Sequence, residues 1–457
     1  MKPGSARFTK GPVERALART TLQMLMGILA MVAFNLVDTF FVGQLGKAEL
    51  AAMAFTFPVV AIFGGLALGL GQGASAVISR ALGHGDRDQV RRLTTDALLL
   101  SVVVVTVLVA VGLATVDPVF RAMGATDELL PLIGQYMRIW YVGMPFVVIP
   151  MVGNNAIRAT GDARTPALIM LVAVCVNVVL DPVLIFGLGP FPRMELAGAA
   201  LTTVFARAAA LTASMWVLTL RERMVTRRWA GLSSTVASWR RILWIGLPDA
   251  ATRMVLPLGA GAVTRLVAGF GKEAVAAFGV ATRVDMFALA VVMALGSMLG
   301  PFVGQNHGAG LFARVRRGVR SSQVFALGWG LVTLLGLWAG ARPLAALFND
   351  DPVVIANIVL YLRIVPFGYG LVGVLMISST SLNVLERPLH ASALTILQMF
   401  GLYLPLAILG AHTLGLQGVF VAALVANGIA GAAAFLVLQR VLNRRAPLPP
   451  GPANPGS

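Results

Sequence analysis

The sequence predicts an all-α integral membrane protein with twelve transmembrane helices in two pseudo-symmetric six-helix bundles. Composition is the first reason: the 457 residues are 58% hydrophobic and only 12% charged, whereas soluble domains are about 25% charged. The second reason is that apolar runs long enough to cross a ~30 Å hydrocarbon core recur along the chain. A backbone in lipid must satisfy its hydrogen bonds internally, which favours helices. The third reason is an internal repeat.

Twelve apolar spans are predicted from the hydrophobic runs. Four prolines within them, Pro58, Pro145, Pro150 and Pro366, are predicted bends, because proline removes a helical hydrogen bond. The spans cover residues 22–43, 50–80, 94–115, 131–156, 165–188, 196–220, 241–268, 275–306, 322–341, 353–383, 390–410 and 414–440.

Arginine and lysine are concentrated before span 1 and in the loops after spans 2, 6 and 8, while the intervening loops hold about one each. Because positively charged loops stay on the cytoplasmic side, we expect a multi-pass protein of the cell membrane with both termini cytoplasmic. The net charge of +17 lies in these short loops rather than on a basic face with interleaved aromatics. This distribution argues against nucleic-acid binding.

Enzymatic and metal chemistry are disfavoured by residue usage. The chain has one cysteine, Cys175, and four scattered histidines. These residues provide neither a metal-ligand spacing nor a nucleophile–base set. We therefore expect no cofactor, no metal site and no catalytic residue.

The internal repeat appears when the sequence is shifted by 225 residues. GKAELAAM (46–53) then meets GKEAVAAF (271–278), and YMRI (136–139) meets YLRI (361–364). An even number of spans per copy gives both halves the same orientation. We predict an N-terminal lobe at 1–220, a cytoplasmic linker at 221–240, a C-terminal lobe at 241–445 and a disordered tail at 446–457.

The repeat also separates scaffold residues from residues that need their own explanation. Asp38 in span 1 aligns with Val263, and Asp181 in span 5 aligns with Leu404. Asp38, Asp181 and Thr202 of span 6 each fall roughly 9–10 Å below the predicted outer helix ends, at 1.5 Å per residue. Asn35 and Asn177 share helix faces with the two acids. These positions predict one polar cluster within the N-terminal lobe, open to the outside.

A carboxylate inside a span costs at least a few kcal/mol if it is ionised and unpaired, so it usually faces the bundle interior and serves ion or substrate movement. Two neighbouring carboxylates would bind protons as a coupled pair. We therefore predict proton coupling at Asp38 and Asp181. The alternative interpretation is that both acids only accept local hydrogen bonds or cap a kink beside Pro182.

Together these features resemble the multidrug and toxic compound extrusion (MATE) family. The resemblance rests on NLVDTFFVGQLG in span 1, NNAIRATGDARTP after span 4, NVVLDPVLIFG in span 5 and GxxxGQNHGAG at the end of span 8. The acid of span 1 combined with N-x-x-x-D in span 5 is similar to the proton-coupled DinF-like and archaeal branch. Carried over by position, the family's acids fall on Asp38 and Asp181. Its polar partners fall on Asn177, Asn154, Tyr136 and Thr202.

The resemblance implies secondary active export of drugs or toxic organic cations in exchange for protons, with sodium as an alternative coupling ion. It implies small molecules, protons and membrane lipids as partners, and we expect a monomer. The alternative function is a flippase for lipid-linked saccharides or lipids of the same superfamily. A flippase would favour a cationic cavity and often two further spans, and neither is evident in the sequence.

Asp285 in span 8 is a further intramembrane acid. Arg283 is its neighbour in sequence, and span 7 contributes Arg253 and Arg265. We expect an aspartate–arginine pair, acting as a structural lock or as part of the cavity.

Overall fold

The computed structural model of the protein describes residues 5–43, 47–188, 191–228 and 230–444, apart from the side chains of residues 33, 35–40, 42, 47–52 and 54. The described residues are almost entirely helical, as predicted. The helices are α1 (Val13–Gly43), α2 (Lys47–His84), α3 (Arg87–Ala122), α4 (Leu130–Gly143), α5 (Pro145–Ala159), α6 (Arg164–Phe186), α7 (Glu195–Trp216), α8 (Leu232–Ala268), α9 (Lys272–Gly308), α10 (Phe312–Ala346), α11 (Pro352–Ile364), α12 (Tyr369–Val384), α13 (Pro388–Ile396), α14 (Leu404–Leu414) and α15 (Leu416–Arg444).

Fifteen helices form twelve spans because three spans are interrupted. Helices α4 and α5 make one span with a 42° bend just before Pro145. A 3₁₀ turn at Val365–Gly368, which contains Pro366, joins α11 to α12. A π-helical segment at Leu397–Tyr403 joins α13 to α14. Pro58 and Pro150 lie inside unbroken helices.

Membrane crossing is supported by length and composition. Among the described residues, nine segments are long and apolar enough to span a bilayer, and the bent α4–α5 pair makes a tenth. Helices α1 and α8, of 31 and 37 residues, complete the twelve by their position in the repeat. Helix α8 begins at Leu232, inside the predicted linker, and the predicted tail lies outside the described residues.

We call α1–α7 the N-terminal lobe and α8–α15 the C-terminal lobe. The N-terminal face is the side of the molecule where α1, α3, α8 and α10 begin and where α2 and α9 end. The second half of α2, which runs up to this face, packs closely against both α8 and α9. A Cβ on Gly69 would lie 2.5 Å from the backbone oxygen of Gly246, and one on Gly83 would lie 2.1 Å from that of Gln305. Only glycine permits such approaches, so the two lobes meet firmly at the N-terminal face.

The segment before α1 lies between the lobes at this face. Phe8 is buried, and its ring packs edge-on against Phe302 of α9 with centroids 5.7 Å apart. The Phe8 N–H donates to Oε1 of Gln305 at 2.8 Å, and its carbonyl accepts from Asn306 at 3.2 Å. Gln305 in turn donates to the carbonyl of Ala159 in the N-terminal lobe at 2.6 Å. The segment therefore closes the N-terminal face.

An ionic network anchors the same segment to the N-terminal lobe. Arg7 pairs with Glu222 at 2.8 Å and with Asp162, between α5 and α6, at 3.3 Å. Asp162 also pairs with Arg221 and accepts from the Thr165 hydroxyl at 2.8 Å. Burial alone would raise the pKa of Asp162, but hydrogen bonds from Thr165 and Arg221, together with the nearby charge of Arg7, lower that pKa below the ordinary value. Asp162 is therefore held in its charged form.

Candidate functional site

Asp181 and Asn177 lie one turn apart on α6, and both side chains are fully buried. The Asn177 amide donates to Oδ1 of Asp181 at 3.3 Å. Oδ1 of Asn177 has no hydrogen-bond partner among the described residues. A fully buried carboxylate in a membrane span is costly in its charged form, so this pair is the core of the candidate site.

Helix α7 brings Thr202 to the level of Asp181. A Cβ on Gly198 would lie 2.5 Å from the carbonyl oxygen of Leu184, so α6 and α7 touch backbone to backbone there. The two helices run in opposite directions. One turn from this contact, Thr202 on α7 is level with Asp181 on α6. The Thr202 hydroxyl is buried, but it donates to the Gly198 carbonyl of its own helix at 2.9 Å.

Tyr136 and Asn154, on the bent span, lie at different depths. Tyr136 is buried on α4 in a cluster that includes Ile185, Leu196 and Ala199, so it lies on the side of the predicted site that faces away from the N-terminal face. Asn154 is near the end of α5, and its Oδ1 is buried with no partner among the described residues. Tyr136 therefore shares a cluster with Ile185, which lies one turn beyond Asp181 on α6, whereas Asn154 is closer to the N-terminal face.

Asn35 and Asp38 lie on α1, and their side chains fall outside the described part of the structure. The backbone of α1 nevertheless runs beside α6. A Cβ on Gly27 would lie 3.2 Å from the Cα of Ala167, and the rings of Phe41 and Phe186 meet at 6.3 Å. These two contacts pair residues 140 to 145 apart in sequence. Position 38 is therefore level with residues 178–183 of α6, the turn that holds Asp181.

Sequence reasoning did not identify Arg207, which lies between α1, α6 and α7. Its guanidinium carbon is 4.6 Å from the ring centroid of Phe34, and its Nη1 is 3.8 Å from Sδ of Met170. Arg207 is five residues beyond Thr202 on α7, toward the N-terminal face. It adds a positive charge within the same lobe as the acids. The repeat offered a signal: when LAGAALTT (196–203) is aligned with LQGVFVAA (416–423), the position that matches Arg207 in the second copy is the uncharged Asn427.

The predicted aspartate–arginine pair at Asp285 is wrong. Tyr361 of α11 donates to Oδ2 of Asp285 at 2.5 Å, and Tyr369 of α12 donates to Oδ1. Tyr403 packs against the hydrophobic cluster that contains Tyr361 and Tyr369. Arg283 and Arg265 are exposed. Arg253 instead pairs at 2.7 Å with Asp249, one turn before it on α8. The donors to Asp285 are therefore the neutral hydroxyls of two tyrosines in span 10, and not arginines.

Among the described residues, no group of three or more histidine, cysteine, aspartate or glutamate side chains is arranged to hold a metal ion. The site therefore consists of a buried carboxylate with amide, hydroxyl and aromatic neighbours, in the wall of a twelve-span bundle.

Comparison with known proteins identifies the family. The sequence profile of the family MatE matches residues 24–183 and again residues 248–409, once in each copy of the repeat. The chain is a MATE family transporter. A protein of Shewanella oneidensis named FAD transporter is 39% identical over 430 residues, which cover 94% of this chain and 95% of that protein. The multidrug export protein MepA of Staphylococcus aureus is 24% identical over 439 residues, 96% of each chain.

Solved MATE structures have the same fold. The Vibrio cholerae MATE transporter VcmN in its bent form superposes with a TM-score of 0.90 at 31% identity, covering 94% of this chain and 97% of that one. A multidrug resistance MATE transporter of the MOP superfamily, in an outward-facing conformation, has a TM-score of 0.89 at 25% identity, with coverage of 97% and 99%. This MATE chain is thus a multi-pass membrane transporter and not an enzyme.

Proposed function

We propose that this MATE transporter exports organic, often cationic, small molecules in exchange for protons that enter through Asp38 and Asp181. The observation that carries the proposal is the complete burial of Asp181 in a membrane span, beside Asn177. A buried carboxylate is stable when it holds a proton, and it favours release of that proton when water or a cation reaches it. Each proton that moves inward releases about 2.3 kcal/mol of free energy per 100 mV of membrane potential.

Position 38 strengthens the proposal because α1 runs beside the turn of α6 that holds Asp181. Two carboxylates at one level would bind protons as a coupled pair. Protonation would then alter how α1 packs against α6. The tight closure of the N-terminal face, which we place in the cytoplasm, suits a state that receives protons from outside.

The proposal is tested in proteoliposomes with an imposed pH gradient, by measuring substrate-dependent proton flux. Asp181→Asn and Asp38→Asn should each abolish the flux at unchanged protein incorporation. Asp127→Asn is the matched control, because Asp127 is an exposed acid paired with Arg121 at 3.2 Å. Full proton flux in both D38N and D181N would refute the assignment.

A second candidate substrate class is a flavin dinucleotide, favoured by the 39% identity to the Shewanella FAD transporter. Arg207 supplies a cation in the N-terminal lobe that could attract a phosphate. Vesicles loaded with FAD or with ethidium, assayed in parallel, decide between the classes. If the vesicles export FAD but not ethidium, and Arg207→Gln abolishes the export of FAD, a flavin dinucleotide replaces organic cations as the proposed substrate class. Flipping of lipid-linked saccharides without proton flux would favour the flippase alternative.

A further inference from the structure

A groove of about 640 Å³ lies between α1, α9 and α10, and the side chains of Leu22 and Val324 in its lining are exposed. Its walls come from both lobes, since α1 belongs to the N-terminal lobe and α9 and α10 to the C-terminal lobe. The inner part is apolar, with Leu25, Val291, Leu295 and Phe325 among its lining residues. The volume is within the ~300–1,000 Å³ range of small-molecule sites.

Two buried hydroxyls line the groove without hydrogen bonds. Thr21 of α1 is 7% exposed and Ser322 of α10 is 2% exposed. Neither Oγ atom has a partner among the described residues. A buried hydroxyl without a partner is costly. The neighbouring Thr20, by contrast, donates to the carbonyl of Ala16 at 2.9 Å. The two hydroxyls therefore have no internal bond to lose and can donate to oxygen acceptors of an occupant at this depth.

The mouth of the groove is basic. Arg320 lines it, and Arg316 and Arg317 lie on the preceding turn of α10. Glu14 is the acid at the mouth, and it is already bound to Arg317 at 2.7 Å. Within the described part of the chain, the ion pairs found here engage Arg317 and not Arg320. The positive charge of Arg320 is thus available to an anion.

The basic and hydroxyl groups lie at nearly one level and the apolar part lies deeper, as the headgroup–ester region and the acyl chains of a phospholipid do. Arg320 and Thr21 lie roughly 12 Å along α10 and α1 from the starts of those helices, at 1.5 Å per residue. The apolar part continues deeper into the membrane. We propose that this groove binds an anionic phospholipid from the membrane leaflet on the side of the N-terminal face. Arg320 contacts its phosphate, Thr21 and Ser322 donate to its ester oxygens, and one acyl chain fills the apolar part.

Basic pockets between helices on the cytoplasmic side suit anionic headgroups, which are enriched in that leaflet. Since the groove joins α1 to α9 and α10, a bound lipid would contact both lobes at once. This inference depends on membrane insertion and on the groove, and it does not require proton coupling.

The test is native mass spectrometry of delipidated protein titrated with equimolar phosphatidylglycerol and phosphatidylcholine. We expect one retained phosphatidylglycerol, and Arg320→Gln should weaken its binding about fivefold, which is the contribution of one arginine near an anionic membrane. Arg240→Gln is the charge-matched control, because Arg240 is an exposed residue on α8 away from the groove. Equal retention in R320Q and R240Q would overturn the proposal.

A second pair of variants separates binding from folding. Thr21→Val should lower lipid retention without lowering the thermal stability of the lipid-free protein, because its hydroxyl has no partner to lose. Thr20→Val should leave lipid retention unchanged. Displacement of the lipid by an exported substrate would overturn the assignment in favour of a substrate pathway. Retention of lipid in Asp181→Asn is expected, so failure of the coupling proposal and failure of the lipid proposal remain distinguishable.

Discussion

Tyr361 donates a 2.5 Å hydrogen bond to Oδ2 of Asp285, across the interior of the C-terminal lobe. Tyr369, which bonds to the other carboxylate oxygen, lies on the opposite side of the 3₁₀ turn at Val365–Gly368. One carboxylate of α9 thus holds both sides of the break in span 10. The aligned position in the first repeat is Val60, which has no carboxylate.

Replacing Tyr361 by phenylalanine should destabilise the C-terminal lobe. The change removes a donor from a carboxylate, and a hydrogen bond to a charged group contributes about 1.5–3 kcal/mol. Thermal unfolding in detergent measures the effect. Tyr141→Phe is the control, because Tyr141 lies in the other lobe and packs through its ring on Phe63 and Trp140. Equal stability of the two variants would contradict the interpretation.

Gly198→Ala should disrupt the packing of α6 on α7, because the new Cβ would lie 2.5 Å from the Leu184 carbonyl. We expect loss of folded protein or separation of the two helices with loss of transport. Gly134→Ala is the matched control. It adds the same methyl group to helix α4, where no neighbouring atom lies within 4 Å of the new Cβ. It should be neutral or stabilising by up to ~1 kcal/mol. Size-exclusion profiles and transport rates distinguish the outcomes.

Thr202→Val should leave transport within about twofold of the parent, because the hydroxyl bonds to the Gly198 carbonyl within its own helix and such a local bond contributes only ~1 kcal/mol. Thr203→Val is the comparison, since the buried Thr203 hydroxyl has no partner among the described residues. Loss of transport in the Thr202 variant alone would show that its hydroxyl acts on substrate or proton.

Phe8→Ala should open the N-terminal face. Removing a buried phenylalanine costs about 3–5 kcal/mol, and here the lost contacts join Phe302 to the segment before α1. Spin-label distances between the lobes at this face should lengthen or broaden. Phe57→Ala, at a side chain that is 72% exposed, is the control. Unchanged distances in the Phe8 variant would contradict the proposed closure.

Acidification should weaken the same face through Asp162. The pKa of this carboxyl is lowered in the folded protein. Its stabilising effect is therefore complete above the ordinary aspartate pKa of ~3.9 and is lost as the pH falls through the lowered value. Asp162→Asn should remove this stabilisation at neutral pH. The inter-lobe distances of the variant should then change less than those of the parent as the pH falls. Inter-lobe distances measured from pH 7 to pH 3 in both proteins check the sign.

Much of the fold was predictable because membrane spans depend on local composition. The twelve spans and the repeat both follow from short stretches of sequence. The partners of Asp285 were not predictable, because Tyr361 and Tyr369 are 76 and 84 residues away and depend on how two spans pack. The π-helical segment at Leu397–Tyr403 carries no sequence signal that periodicity detects. The predicted roles of Asn35 and Asp38 remain predictions.

The burial of Phe8 has a consequence for biosynthesis. Its partners Gln305 and Asn306 are separated from it by 297 and 298 residues. The ribosome therefore releases this phenylalanine long before the groups that enclose it exist. Until α9 has been inserted, the segment around Phe8 remains uncovered beside the translocon. Sealing of this face is consequently among the last events of assembly, and a bulky fusion attached ahead of Phe8 would interfere at that late stage.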